Sequence, residues 1–170
     1  MLKKLAFAIM FCALSFGASA QGDLKFGHIN TEELFNVMPE KIEAEKKLDG
    51  ISKNYESELV KMQEEFKKKY TEFMAAADTL PEGIKVRRMQ EVQELEQRIQ
   101  NFQQIAMQDL QKQQQDLLAP IMDKIRKAIQ SVGQDNGFVY IFDLTSQTIL
   151  FHSDKSVDAM PLVKTKLGLR

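Results

Sequence analysis

Histidines, cysteines and clustered carboxylates are the side chains that hold metals, move protons or attack carbon, and this 170-residue chain offers few of them in a working arrangement. Its two histidines, His28 and His152, lie in opposite end segments, and neither belongs to a short metal-ligand spacing such as His-Glu-x-x-His. Both fall on predicted strands, so a shared sheet is the one arrangement that would bring them together. The single cysteine, Cys12, follows Met10 and Phe11 inside an apolar run, whereas a lipid-bearing cysteine would follow a small residue. There is no glycine-rich phosphate loop and no nucleophile elbow. The many carboxylates alternate with Lys and Arg at helical spacing, the pattern of a solvated, salt-bridged face. The reading is therefore no catalytic residue, no cofactor and no metal, with an enzyme the least supported class. The balance of 23 basic against 24 acidic residues also argues against a nucleic-acid binder, which normally carries a strong basic excess.

The first twenty residues have their own logic. Lys3 and Lys4 precede an apolar run from Leu5 to Phe16, and Ala18-Ser19-Ala20 places small residues where a signal peptidase cuts. Residues 1–20 read as a signal peptide cleaved after Ala20, too short for the ~20 apolar residues of a spanning helix. The expected fate is export across the inner membrane. With Cys12 removed, no disulfide, thiol nucleophile or cysteine metal site remains.

The elements that would position any function fall into three zones. Residues 24–29 roughly alternate and read as a strand, and Asn30 stands three residues before Glu33, a capping-box spacing for a short helix. Residues 138–143 are aromatic and β-branched after the turn signal Asp135-Asn136-Gly137, and residues 148–152 suit an antiparallel return strand. Pro161 opens a last short helix that Gly168 closes. Between these ends Pro39 suits a helical first turn. Apolar residues then recur about every 3.6 positions, as Leu48, Ile51, Tyr55, Leu59, Met62, Phe66, Tyr70, Phe73, Ala77 and Leu80, close to the helical period. After Pro81-Glu82-Gly83 the pattern resumes from Val92, through Leu95, Ile99, Phe102 and Ala106, to Ile121.

The predicted fold is α+β and mostly α. A long antiparallel helical hairpin, coiled-coil-like, spans residues 39–120 with its turn near 79–83. A small β body is formed by residues 21–38 and 121–170. A helix from Pro39 to Leu80 is roughly 60 Å long at about 1.5 Å per residue, so the hairpin is expected to project as an arm. Folding about Pro81 sets Gly50 opposite Gln113 and Pro120 near the arm's base, which predicts a flexible joint there; the alternative places Gly50 on an exposed face. A few strands are marginal alone. Phe26, Ile29, Val139, Ile141, Phe142, Leu150 and Phe151 are accordingly expected to form a self-association body that removes strand edges.

Two surfaces on the hairpin invite partners. Met62, Phe66, Phe73, Met74, Val86, Met89, Phe102 and Met107 are the candidate residues for adaptable apolar binding, because methionine is flexible and polarizable; seam positions among them also serve simply to zip the helices. Lys67, Lys68, Lys69, Lys85, Arg87 and Arg88 make the tip locally basic, a solvated face or a contact for acidic lipid or glycolipid phosphates.

The segments Lys25-Phe-Gly-His-Ile-Asn30 with Leu34-Phe35, and Pro120-Ile-Met-Asp-Lys-Ile-Arg-Lys-Ala-Ile-Gln-Ser-Val-Gly133 leading into Gly137-Phe-Val-Tyr-Ile-Phe-Asp143, resemble the Skp/OmpH family of periplasmic chaperones. The endings Ile149-Leu-Phe-His and Leu162-Val-Lys-Thr-Lys-Leu are also similar, while the arm matches in length and character. The resemblance implies a homotrimer whose arms enclose a cavity and hold unfolded outer-membrane β-barrel proteins without ATP. The best-known members are basic, whereas this chain without Lys3 and Lys4 has 21 basic against 24 acidic residues. Shape and apolar contact are thus expected to carry more of the binding. The rival expectations are a structural periplasmic coiled-coil adaptor bridging envelope components and a membrane or glycolipid tether.

Overall fold

A computed structural model describes residues 24–146 and 148–169. The expected leader and its cleavage site lie outside the described residues. In chain order the elements are β1 (Lys25–Ile29), α1 (Thr31–Asn36), α2 (Pro39–Ala76), α3 (Glu82–Asp135), β2 (Phe138–Asp143), β3 (Val157–Asp158) and α4 (Met160–Leu167). Long helices with a small sheet bear out the mostly helical α+β reading. The chain divides into two compact units, one of residues Phe35–Asp123 and one made by the ends, up to Leu34 and from Lys124.

In the end unit the three strands run parallel in the order β2-β1-β3. The pairing runs from Lys25↔Phe138 to Ile29↔Asp143, with an irregularity after Lys25. Alternation sends Gly27 and Ile29 to the buried face and Phe26 and His28 to the other. The core gathers Ile29 and Leu34 with Ile125, Ala128 and Val132 of α3, and Ala159, Met160 and Val163 around the start of α4, all buried. Positions 125, 128 and 132 repeat at helical spacing, so α3 presents one apolar stripe to that core. Gly27 is required by packing. A β-carbon there would lie 2.7 Å from the Phe138 ring and 3.2 Å from the backbone oxygen of Val157.

Local capping closes the elements as their sequences suggest. The Glu33 amide donates to Asn30 Oδ1 at 2.9 Å, which starts α1. Gly168 takes a left-handed conformation, φ 73°, and its amide ends α4 on Lys164 and Thr165 carbonyls. The carboxylate of Asp143 does more than cap: it accepts from the Thr31 amide and hydroxyl, and from the Thr145 amide at 3.1 Å and hydroxyl at 2.7 Å. One side chain thereby ties the end of β2 to the start of α1. Burial pushes its pKa up, but the Thr31 and Thr145 hydrogen bonds outweigh that and hold it below the ordinary carboxylate value.

The expected return strand at 148–152 does not form. Asp143, Thr145 and Ser146 bond one another in a tight turn that leads the chain away from β2, and the free side of β1 is taken by β3, in parallel. Leu150 and Phe151 are left 93% and 82% exposed.

In the arm unit α2 ends at Ala76, four residues before the predicted end. The Ala76 carbonyl there accepts from the Thr79 and Leu80 amides and the Thr79 hydroxyl. Every seam residue predicted on α2 is at least partly covered except Tyr70, and all those named on α3 are covered. Tyr55 joins the two helices: its ring meets Phe102 edge-on at 5.8 Å, and its hydroxyl donates to Asp109 at 2.8 Å. α3 continues through Pro120. Gly50 does not meet Gln113. It lies on the far side of α2 from the seam, exposed, with nothing within 4 Å of an added β-carbon, while the Gln113 amide turns to Asp109 on its own helix at 3.5 Å.

Two glycine substitutions should therefore move stability in opposite directions. Gly50→Ala should stabilise by roughly 0.5–1 kcal/mol, the usual helix-interior gain, and Gly27→Ala should destabilise by about 1–3 kcal/mol through overpacking, both read by urea unfolding. A stabilising Gly27→Ala would refute the ring contact. Asp143→Asn keeps one acceptor oxygen but replaces the other by an NH2 group, and should cost about 0.5–1.5 kcal/mol at neutral pH, typical of a lost hydrogen bond. Because the folded-state carboxylate has the lower pKa, the contribution of Asp143 is complete above the ordinary carboxylate value. It disappears as pH falls through the lowered one, so the wild type and Asp143→Asn should converge in acid.

Candidate functional site

The seam consumes half of the candidate apolar residues. Met62, Phe66, Phe73 and Phe102 are half-buried between or beside the helices, while Met74, Val86, Met89 and Met107 are 57%, 39%, 43% and 68% exposed. Helical geometry relates the exposed set. At about 100° per residue, Ile42, Val60 and Met74 lie roughly 80–120° round α2 from its seam, and Val86, Met89, Met107 and Met122 lie roughly 95–155° round α3 in the same rotational sense. Since the helices are antiparallel, the two flanks open on the same broad face of the hairpin. Ile105, 60% exposed, falls on the opposite face.

Sequence reasoning missed Ile42, Val60, Ile105 and Met122, all exposed. The signal was available: each breaks the seam period, and three of them sit directly beside a seam residue.

At the tip, the six basic residues do not form one patch. Lys69, Arg87 and Arg88 line a shallow cleft with Glu72 and Glu91, and Arg87 bonds Glu91 at 3.2 Å. Lys67 and Lys68 line an adjoining surface with Glu64, Thr71, Ala75 and the shared Glu72, and Lys85 borders neither. Consecutive lysines on a helix fan out over three sides, which divides the charge. A cleft with two carboxylates among three cations is only weakly positive.

In the end unit the outward sheet face is aromatic. Phe26 stacks on Tyr140 at 6.3 Å and Tyr140 on Phe142 at 5.8 Å, and these rings are 36%, 61% and 40% exposed. Val139 is also exposed and Ile141 half-buried. A groove lined by Ile129, Gly133, Phe138, Val139 and Ile141 adjoins the outer edge of β2, and that edge has no partner strand among the described residues. Ile29 is removed from the expected association surface. It is 1% exposed and spent in the chain's own core, because it alternates to the opposite face from Phe26. Tyr140 takes its place among the exposed apolar groups.

The two histidines meet. Their rings stack at 4.2 Å, and His28 Nδ1 lies 2.9 Å from the Ser156 hydroxyl. His152 reaches His28 from the irregular segment before β3, where a strand had been expected. Among the described residues no group of three or more His, Cys, Asp or Glu side chains could hold a metal ion, and no helix is long and apolar enough to cross a membrane.

Comparison with known proteins agrees with this architecture. A family model described as outer membrane protein (OmpH-like) matches residues 25–167. The chain is 26% identical over 166 residues to chaperone protein Skp of Photorhabdus luminescens, covering 97% of this chain and all of that one. It is also 26% identical over 143 residues to chaperone protein Skp of Photorhabdus laumondii subsp. laumondii, covering 84% and 87%. Its fold is similar to an OmpH-like crystal structure from Caulobacter crescentus, with a TM-score of 0.73 at 13% identity over 89% of this chain and 88% of that one.

Proposed function

Because the chain belongs to the OmpH-like outer membrane protein family, we propose that it is an ATP-independent periplasmic holdase, which binds unfolded outer-membrane β-barrel proteins and keeps them from aggregating before insertion. The observation that carries this reading is the shared apolar flank of α2 and α3, with Met74, Met89 and Met107 exposed along it. Thioether side chains adapt to varied apolar partners without a fixed register. Many weak contacts along an arm hold a chain by avidity and still release it without chemical work. The similarity to the Photorhabdus Skp chaperones along almost the full chain supports the same reading.

The working form is a homotrimer, with the end unit as its association body. The open outer edge of β2 and the exposed rings of Phe26, Tyr140 and Phe142 are an aggregation hazard in a lone chain. A ring of copies that pairs or covers the edge removes it. Val139, Leu150 and Phe151, all exposed, supply further apolar area. The divided, partly neutralised tip favours apolar over electrostatic capture, so lipid or glycolipid contact is at most secondary.

The test is light-scattering mass across a size-exclusion peak for residues 21–170 mixed with a urea-unfolded outer-membrane β-barrel diluted into buffer. The expected result is a soluble species with the mass of three chains plus one client. A trimer eluting alone beside precipitated client would overturn the holdase reading in favour of a structural adaptor. A monomer would overturn the assembly.

A further inference from the structure

Along α3 one row of side chains carries no charge from Val86 to Met122, in steps of three and four residues. Six of its positions are glutamines, Gln93, Gln97, Gln100, Gln104, Gln111 and Gln115. The others are Val86, Met89, Met107, Leu118 and Met122. The row lies on the same side of the hairpin as the exposed flank described above. Charges elsewhere on α3 are plentiful, with Arg87, Arg98, Lys112 and Asp116 on its back and Glu94 and Glu96 bordering Gln93, Gln97 and Gln100. The flank of α2 on the same face is mixed, carrying the Asp49–Lys53 ion pair at 2.7 Å and Lys67. All six glutamines are exposed. Among the described residues none of their amides bonds another protein group, in contrast to Gln113, which reaches Asp109.

Resting on the holdase reading, we propose that this uncharged row is the client-binding track of the arm. The backbone of an extended, unfolded chain lies along it. The glutamine amides bond the client's peptide groups, and the methionines, Val86 and Leu118 receive its apolar side chains. A carboxamide offers two donors and an acceptor, the complement of a peptide unit whose N–H and C=O are both unpaired. That chemistry selects against other occupants. A helical partner has its backbone groups satisfied internally and would gain nothing from six amides. A lipid surface would strip water from them without replacing its hydrogen bonds. A charged peptide would meet Glu94 and Glu96 beside Gln93, Gln97 and Gln100, but no charged residue within the row itself.

The spacing fits a partner without a fixed sequence. Row positions recur about every 5 Å along the helix at ~1.5 Å per residue, whereas same-side groups of an extended chain recur about every 6.6 Å. The two repeats do not lock, so amides pair with whichever peptide groups pass them and the client can slide. The row spans roughly 54 Å, enough for about sixteen extended residues and longer than a single transmembrane β-strand of about 9–11.

Two triple variants with the same change in net charge test the track. One places Gln97→Glu, Gln104→Glu and Gln111→Glu in the row; the other places Arg87→Gln, Arg98→Gln and Lys112→Gln on the back of α3. Binding of a urea-unfolded eight-stranded outer-membrane β-barrel is measured by suppression of its light scattering as chain concentration is varied, with helicity and oligomer mass checked for each protein. The row variant should need about tenfold more protein for half-suppression and the back variant less than about twofold, where tenfold is one decade of Kd. Equal behaviour of the two variants overturns the track while leaving the holdase reading standing. A wild-type chain that suppresses nothing overturns both. If the row variant loses its fold, the single changes Gln104→Glu and Gln111→Glu are compared with Arg98→Gln and Lys112→Gln, and equality there overturns the proposal in the same way.

Discussion

β1 and β2 lie side by side in parallel although α1, α2 and α3 intervene between them, and the rest of the structure depends on that pairing. Parallel neighbours cannot be joined by a tight turn and need a crossover. Here the crossover is the entire helical hairpin. The entropy of closing a loop rises only with the logarithm of its length, so a long arm is little worse to close than a short one, provided the closing contacts are specific. They are: the Phe138 ring fits only because residue 27 is glycine, and Asp143, in the last register pair, holds the first turn of α1 through Thr31. The closure of the sheet thus rests on the same few residues of the end unit.

A hairpin closed in this way still has to choose which residue faces which. Apolar seams slip easily, since Leu, Met and Phe tolerate one another. Tyr55 and Asp109 supply the missing specificity, because displacing the register by a turn would break the 2.8 Å bond between them and leave Asp109 only the 3.5 Å contact to Gln113 of its own helix. The hydrogen bond to Asp109, partial burial and the negative charge all raise the Tyr55 pKa, in keeping with a hydroxyl that donates. A polar pair within a seam buys register at some cost in stability.

What could be read from the sequence follows from the range of the interactions involved. The helical period alone identified the seam, because each seam residue is selected by burial within a few ångströms of its own turn. Caps at Asn30 and Gly168 are equally local. The end unit was only half legible: β1 and β2 were visible as strands, but their parallel pairing was not, since nothing in residues 138–152 reports which edge of β1 is free. The apolar run Ile149–Phe151 has strand propensity, yet a strand needs a partner edge, and the turn at Asp143 takes the chain elsewhere. Ile29 and Phe26 illustrate the same limit one residue at a time: alternation separates them, and only the observed core tells which face is inside. The meeting of His28 and His152 is a further product of long-range pairing that neither local sequence encodes.

On the holdase reading proposed above, the division between seam and flank lets a thin hairpin bind without coming apart. Residues that hold the helices together, such as Leu95 and Ala106, are nearly buried, so a client bound along the flank need not compete with the contacts that keep the arm closed. Methionine and glutamine on that flank gain little from each individual contact. A methionine removed from water is worth at most about 1.5–3 kcal/mol, and a neutral hydrogen bond exchanged with water contributes about 0.5–1.5 kcal/mol. Ordering the client's backbone costs about 1–2 kcal/mol for each residue fixed, which cancels most of that gain if the chain is pinned in one conformation. A track whose repeat does not match the repeat of an extended strand leaves the client free to shift among many pairings, and so keeps part of that entropy. On that reading retention arises from the number of available contacts rather than the strength of any one, and no hydrolysis is needed to break a single strong bond.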